Sequence, residues 1–240
     1  MTIPATHSEI EEIYLNAELH QCRSLCISAC NEKEGTTSIA QALTERYLLA
    51  GYKTLLVDLN MHHPSLTPIS MGETDQTVQT GEKHGNSNGL VQHNASPRVF
   101  LGIAAPSDPA TRLSYKDPRL LQQEVTHWLE EYDRVIVDTS PILNVNKNNI
   151  PAPCVANACD GTILVVLSGV AAVNQVEDAI ARLSQGAHTR ILGTILNYQH
   201  QPSLASEICR EIDRFSWLPK GFTARLKRSV ANNRFLSSPI

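Results

Sequence analysis

The sequence predicts a doubly wound α/β domain with a mainly parallel sheet, and three observations lead to this fold class. Short apolar runs alternate with amphipathic runs along most of the 240 residues. The apolar runs are rich in β-branched residues and nearly continuous, which is typical of strands buried on both faces of a parallel sheet. The amphipathic runs between them have helical spacing, as crossover helices require.

Six strands are expected in chain order, and each is centred on a run of apolar residues. They are SLCISA at 24–29, KTLLVD at 53–58, RVFLGIA at 98–104, DRVIVD at 133–138, GTILVVL at 161–167 and TRILGTILN at 189–197. Helices are expected at 37–51, 117–132, 170–186 and 203–215. Asp117 is expected to cap the second of these, with proline at its first position. These elements form a single domain at 21–218, preceded by an N-terminal helix within 1–20.

Residues 70–96 interrupt this alternation. The segment is polar and rich in Gly and Asn, and it has few side chains to bury. We therefore expect it to be a mobile surface excursion. The last residues, 219–240, form a basic tail. Two interpretations are left open: the tail is a solvated end, or it contacts an acidic partner surface or anionic lipid headgroups.

Composition narrows the function classes. The formal net charge is −4, which gives no support to a nucleic-acid partner. No run of about 18 apolar residues occurs, and the first residues are acidic and polar rather than signal-like. We therefore expect a cytoplasmic protein that reaches a membrane only through a partner.

Polar residues follow four of the predicted strands, in SACNEKEGTTS at 28–38, VDLNMHHP at 57–64, VIVDTSP at 135–141 and GTILNYQ at 193–199. Ligands of open α/β sheets bind at the carboxyl ends of the strands. Taken singly, each motif could equally be explained by residues that form a turn or cap a helix. Adjacent side chains on extended chain point in opposite directions, so His62 and His63 are expected to face solvent or the loop rather than one metal.

Taken together and in this order, the motifs resemble the bacterial tyrosine-kinase family of capsule and exopolysaccharide systems. LLVDLNMHHPSL resembles that family's second motif, Leu-Leu-Ile-Asp-Ala-Asp-Leu-Arg-Arg-Pro, and YDRVIVDTSPIL resembles its third. The likeness extends from about Ile10 to Asn197. It implies a P-loop NTPase-like fold of the MinD/ParA type that binds ATP and Mg²⁺.

The first motif departs from the family's Pro-Gly-Glu-Gly-Lys-Ser-Thr string. Laid on that string, Glu32 and Glu34 stand at two glycine positions, Lys33 at the glutamate and Gly35 at the lysine. The family's lysine contacts the phosphates, and its glycines let backbone N–H groups close on them. Because a cation is lost and a carboxylate gained, no cofactor is expected, and any binding of ATP and Mg²⁺ should be weak. In this alignment Glu34→Gly with Gly35→Lys should restore affinity.

Other residues of the resemblance are retained. Thr36 has the hydroxyl that would hold Mg²⁺, and Thr37 follows it. Asn197 resembles the family's base-contacting asparagine. An equally open interpretation is that it forms the turn at the end of its strand. The resemblance implies a degenerate ATP site formed by Gly35, Thr36, Thr37 and Asn197, with Lys33 and Glu34 in its loop. The Mg²⁺ ligands it implies are Thr36, Asp58 and Asp138.

Further features of active family members are lost. Asn60 stands at the second aspartate of the second motif, and an amide is no general base near neutral pH. Asp58, Asn60 and Asp138 are therefore interpreted as vestigial catalytic positions. Two arginines are replaced by His62 and His63, the N-terminal helix lacks the arginines of the Glu-x-x-Arg-x-x-Arg assembly motif, and the tail has no tyrosine.

These losses favour a catalytically degenerate family member that acts as a regulatory or scaffolding partner. The expected partner is a membrane-bound polysaccharide co-polymerase (a chain-length determinant) or an active bacterial tyrosine kinase, at the inner face of the inner membrane. A homo-oligomer is also left open. The alternative functions are an active ATP-dependent tyrosine autokinase or ATPase of the co-polymerase system, and a MinD/ParA-like positioning ATPase.

Overall fold

The structure is a computed structural model that describes residues 3–69, 89–94, 97–144 and 146–198, with five isolated positions beyond. One compact unit comprises 1–166 with 171–197, and a second comprises 167–170 with 198–240. Most of the 70–96 excursion and of the predicted 203–215 helix, and the 219–240 tail apart from three positions, lie outside the described residues. The predicted domain boundary at residue 218 therefore stays a prediction.

The described part of the chain contains six helices and eight strands. The helices are α1 Ser8–Leu19, α2 Thr36–Leu49, α3 Pro109–Ser114, α4 Pro118–Glu131, α5 Ala152–Ala158 and α6 Val173–Leu183. The strands are β1 Ser24–Ala29, β2 Thr54–Leu59, β3 Leu66–Pro68, β4 Gly89–His93, β5 Val99–Ile103, β6 Arg134–Thr139, β7 Gly161–Leu167 and β8 Ile191–Asn197.

The strands form a single eight-stranded sheet in the order β3-β4-β5-β2-β6-β1-β7-β8. The central pairs β5–β2, β2–β6, β6–β1 and β1–β7 are parallel. The pairs β3–β4 and β4–β5 at one edge are antiparallel. The sheet is therefore mixed but mainly parallel, and the predicted doubly wound α/β class is confirmed.

The sheet has a hydrophobic core on each face. One core contains Trp128 of α4 together with Val137 of β6, and the other contains Tyr47 of α2 together with Ile27 of β1. Every residue of β1, β2 and β7 is buried, which explains why their sequences are continuous apolar runs rather than alternating ones. Within the described residues, no helix has both the length and the apolar composition needed to cross a membrane.

The predicted excursion at 70–96 is wrong for part of its length. Gly89–His93 forms β4, which pairs antiparallel with β5. Val91 lies opposite Phe100 in this pair, and both side chains are buried. The sequence does not predict β4 because so short a segment has few apolar residues of its own. Its strand conformation depends on pairing with β5.

Helix α1 is held to the sheet and to α2 by acidic side chains. Glu18 forms two hydrogen bonds with the guanidinium of Arg134 on β6, at 2.8 and 3.0 Å. Glu11 pairs with Arg46 of α2 at 2.5 and 2.9 Å. The sequence showed only that this helix lacks the arginines of the assembly motif. In the structure, its acidic residues Glu11 and Glu18 instead bind arginines elsewhere in the chain.

Candidate functional site

The β1–α2 loop, residues 30–35, leaves the carboxyl end of a central strand. The neighbouring strands β2 and β6 place Asp58 directly opposite Asp138 in register. Asn197 ends β8 on the other side of the sheet's centre and reaches the loop. The structure therefore brings the carboxyl ends of four strands into one region, as expected for a doubly wound sheet.

The side chain of Glu34 is enclosed within the loop and is only 1% exposed. Its Oε2 accepts a hydrogen bond from the backbone N–H of Cys30 at 3.1 Å, and its Oε1 accepts one from Nδ2 of Asn31, also at 3.1 Å. Burial raises the pKa of Glu34, and these hydrogen bonds oppose that rise. The loop thus satisfies a backbone N–H with its own carboxyl group.

Gly35 begins α2 as its N-cap in the left-handed conformation, with φ +101°. A Cβ added there would overlap with Nδ2 of Asn197, which donates a hydrogen bond to the backbone carbonyl of Glu34 at 2.9 Å. A lysine at this position is therefore disfavoured by both backbone and space. The geometry instead favours matching Gly35 to the glycine before the family's lysine. Glu34 then takes the position of the family's own glutamate, Thr36 that of its lysine and Thr37 that of the Mg²⁺-binding hydroxyl. In this alignment the lysine is lost but no carboxylate is gained, so any obstruction of the loop comes from the burial of the Glu34 side chain within it.

The contacts of Thr37 agree with this shifted alignment. Its hydroxyl donates to Oδ2 of Asp138 at 2.5 Å, while Oδ1 of Asp138 is buried and has no hydrogen-bond partner within the part of the chain that the structure describes. Burial, and then the charge of Asp58, raise the pKa of Asp138 to about 8. Asp58 itself accepts backbone N–H groups of the loop after β2, including Asn60 at 2.9 Å and Ser65 at 2.6 Å, yet burial raises its pKa as well.

These residues fit a magnesium ion in part and a triphosphate poorly. The free Oδ1 of Asp138 and the Thr37 hydroxyl are oxygen donors of the kind that Mg²⁺ prefers. The cation within segment 28–37 is Lys33, which is exposed and left-handed at φ 62°. The segment therefore offers a triphosphate no positive side chain other than this exposed lysine.

A second cluster joins the β1–α2 loop to the loop after β2. Nε2 of His62 lies 2.6 Å from Oε1 of Glu32, and Nε2 of His63 lies 3.3 Å from Oε2. The sequence-based expectation that the two imidazoles point apart is therefore wrong. Asn60 Oδ1 accepts the backbone N–H groups of both histidines, at 3.3 and 3.2 Å, and bends a segment that was assumed to be extended.

The carboxylate of Glu32 has a further partner, because Nδ2 of Asn144 donates to its Oε1 at 2.7 Å. Burial acts to raise the pKa of Glu32, but the hydrogen bonds from Asn144, His63 and His62 outweigh it and lower the pKa. Sequence reasoning missed this cluster. The available signal was Asn60, since an asparagine two residues before a histidine pair is a turn former.

The chain is similar to several named kinases. It is 30% identical over 182 residues to the tyrosine-protein kinase YwqD of Bacillus subtilis strain 168, covering 74% of this chain and 73% of the relative. It is 28% identical over 180 residues to the tyrosine-protein kinase CpsD of Streptococcus agalactiae serotype III, with 72% and 73% covered. No protein-family model matches the chain.

Solved structures show the same fold. The crystal structure of the chimerical protein CapA2B2 superposes with a TM-score of 0.57 at 20% identity, covering 79% of this chain and 83% of that one. The kinase domain of the Escherichia coli tyrosine kinase ETK gives 0.53 at 21% identity, with 82% and 80% covered.

The sheet order and the loop after β1 define the class of the protein as an α/β domain of the P-loop NTPase type. Within that class, its sequence likeness to the Bacillus subtilis kinase covers more than two thirds of both chains. The chain belongs to the bacterial tyrosine-kinase family.

Proposed function

We propose that this protein is a catalytically degenerate member of the bacterial tyrosine-kinase family that acts by binding other proteins in capsule or exopolysaccharide assembly. The single observation that carries the proposal is the buried carboxyl group of Glu34, which occupies the phosphate loop and accepts the backbone N–H of Cys30. A loop that is filled by its own buried carboxyl group, and that has Thr36 in place of the family's lysine, is poorly suited to receive a triphosphate.

The size of the effect supports this interpretation. A charge-assisted hydrogen bond of the kind that the missing lysine would make contributes about 1.5–3 kcal/mol. A carboxylate close to the phosphates would cost about 1–4 kcal/mol more at a separation of about 4 Å. Since about 1.4 kcal/mol corresponds to a tenfold change in affinity, nucleotide binding should weaken by roughly two to five orders of magnitude.

The proposed partner is a membrane-bound polysaccharide co-polymerase or an active tyrosine kinase of the same system. The names of the relatives support the family context, as does the chimerical CapA2B2 structure. We place the protein in the cytoplasm, at the inner face of the inner membrane, where it would meet such a partner. Self-association is a further proposed mode of assembly.

A second function, an active ATP-dependent kinase or ATPase, has one observation in its favour. The Thr37 hydroxyl and the unpartnered Oδ1 of Asp138 lie together at the carboxyl end of β6. The Thr37→Val variant separates the two functions because it removes the hydroxyl and keeps the shape of the side chain.

The test is made in the producing strain, by replacing the chromosomal gene with the Thr37→Val allele. A binding role predicts that polymer yield stays at the wild-type level and that the chain still co-purifies with the chain-length determinant from the membrane fraction. Loss of polymer at unchanged protein level would instead favour the nucleotide-dependent function. Unchanged polymer after deletion of the whole gene would contradict the proposed context.

A further inference from the structure

Glu32, His62 and His63 bring one carboxylate and two imidazoles together across two loops. The ligand atoms of the three side chains all lie within 4.8 Å of one another. We propose that this cluster is a binding site for a divalent transition-metal ion of the Zn²⁺ class. The site does not depend on nucleotide binding, nor on the function proposed above.

Each imidazole contacts a different oxygen of Glu32, and both contacts are near the spacing that a bound ion requires, while all the ligand atoms lie within 4.8 Å of one another. Zinc binds imidazole nitrogen and carboxylate oxygen at about 2.0–2.2 Å, so two ligands of a tetrahedral ion lie roughly 3.3–3.5 Å apart. The contact of His63 with Glu32, at 3.3 Å, already has this spacing. The contact of His62, at 2.6 Å, needs to open by less than about 1 Å, which rotation of an imidazole can supply.

The side chains are held in place by neighbouring groups. Asn60 fixes the backbone that carries both histidines, and the amide of Asn144 holds the carboxylate of Glu32. Hydrogen bonds of this kind orient metal ligands and increase affinity. The two loops that carry the ligands are separated by about 30 residues of sequence, so a bound ion would clamp them together.

The ligand set also indicates which ion would bind and how. Imidazole nitrogens favour zinc and its neighbours in the transition series over Mg²⁺ or Ca²⁺, which prefer all-oxygen sites. The side chain of His63 is 59% exposed and that of Glu32 is 33% exposed. One face of the cluster is therefore open, and solvent would complete the coordination around three protein ligands.

Zinc titration of the full-length protein tests this proposal. The protein is freed of any affinity tag and of bound metal, and ZnCl₂ is added in a calorimeter near pH 7. We expect one equivalent to bind with a dissociation constant in the micromolar range or below. His63→Ala and Glu32→Gln should each weaken binding by at least about tenfold. His63 is the most exposed of the three, so its substitution leaves the core intact.

The matched control is His127→Ala. His127 also contacts a carboxylate, that of Glu130 at 3.1 Å, but among the described residues no third ligand of this kind lies beside it. This variant should bind zinc as the wild type does. Addition of Co²⁺ provides a second readout, since visible absorption bands should appear in the wild type and the His127 variant and be lost in Glu32→Gln. Binding that is weaker than about millimolar, or that survives both substitutions in the cluster, overturns the proposal.

Discussion

The carboxyl group of Glu34 accepts a hydrogen bond from the backbone N–H of Cys30, with 3.1 Å between Oε2 and N. The two residues stand at opposite ends of the loop that would have to surround a phosphate. An incoming phosphate would therefore displace a buried carboxyl group before it could contact this N–H. The hydrogen bonds from Cys30 and Asn31 hold this carboxyl group in the loop, while burial raises its pKa.

Gly35 should tolerate a side chain less well than another left-handed glycine of the same fold. Gly35→Ala introduces strain at φ +101° and an overlap with Asn197, so the free energy of unfolding should fall by about 2–4 kcal/mol. Gly51 is the matched control, because it has φ +88° and no atom of the described residues lies within 4 Å of the added Cβ. Urea unfolding should show a smaller loss of about 1–2 kcal/mol for Gly51→Ala. Equal losses would mean that Asn197 does not confine the loop.

The pair of Glu18 and Arg134 should anchor α1 to the sheet. Their side chains are 25% and 13% exposed, so Glu18→Gln leaves a largely buried guanidinium without its charged partner. We expect a loss of about 1–3 kcal/mol in the free energy of unfolding. Glu12→Gln makes the same chemical change at an exposed position of this helix and should alter stability by less than about 0.5 kcal/mol. Similar values for the two variants would show that the pair contributes little.

The stability of the protein should depend on Asp138 across the neutral pH range. Its pKa is raised from 3.8 to about 8, so the folded state keeps a proton that the unfolded state has lost. The stability that the proton on Asp138 provides is fully present below the pKa of the unfolded state. It is lost as the pH rises through the pKa of the folded state, so the free energy of unfolding should fall between about pH 4 and 8. Asp138→Asn cannot titrate, so its urea midpoint should change less over this range.

Asp108→Asn is the control for this pH dependence. The pKa of Asp108 is lowered by hydrogen bonds from Thr111, so this group titrates on the acid side of the range. Its substitution should leave the slope between about pH 5 and 8 unchanged. If Asp138→Asn and the wild type have the same slope, the buried carboxyl group is ionised throughout, and the free Oδ1 must have a partner in solution.

The central strands could be predicted from the sequence because strands buried on both faces consist almost entirely of apolar residues. Gly161–Leu167 and Ser24–Ala29 have the bounds that their apolar runs predict. The antiparallel edge could not be predicted, because Leu66–Pro68 and Gly89–His93 gain their strand character from pairing rather than from an apolar pattern.

At the site, the sequence indicated which residues would meet but not how they would be arranged. Motif order placed Asp58, Asp138 and Asn197 near the loop, and the strand ends bring them there. The alignment of Gly35 with a lysine could not be corrected without its backbone angle. The convergence of His62 and His63 on one carboxylate depends on a bend that residue spacing alone does not reveal.

The affinity of the wild-type protein for Mg-ATP, measured by calorimetry beside the variant Glu34→Gly/Thr36→Lys, tests most directly whether this loop has lost its phosphate site. That variant removes the buried carboxyl group and creates Gly-Lys-Thr in the alignment that the left-handed Gly35 favours. We predict that the wild type binds Mg-ATP with a dissociation constant in the millimolar range or weaker. The variant should bind at least about tenfold more tightly, whereas Glu34→Gly/Gly35→Lys should show no such gain. A wild-type dissociation constant below about 10 µM would contradict the claim that this loop has lost its phosphate site.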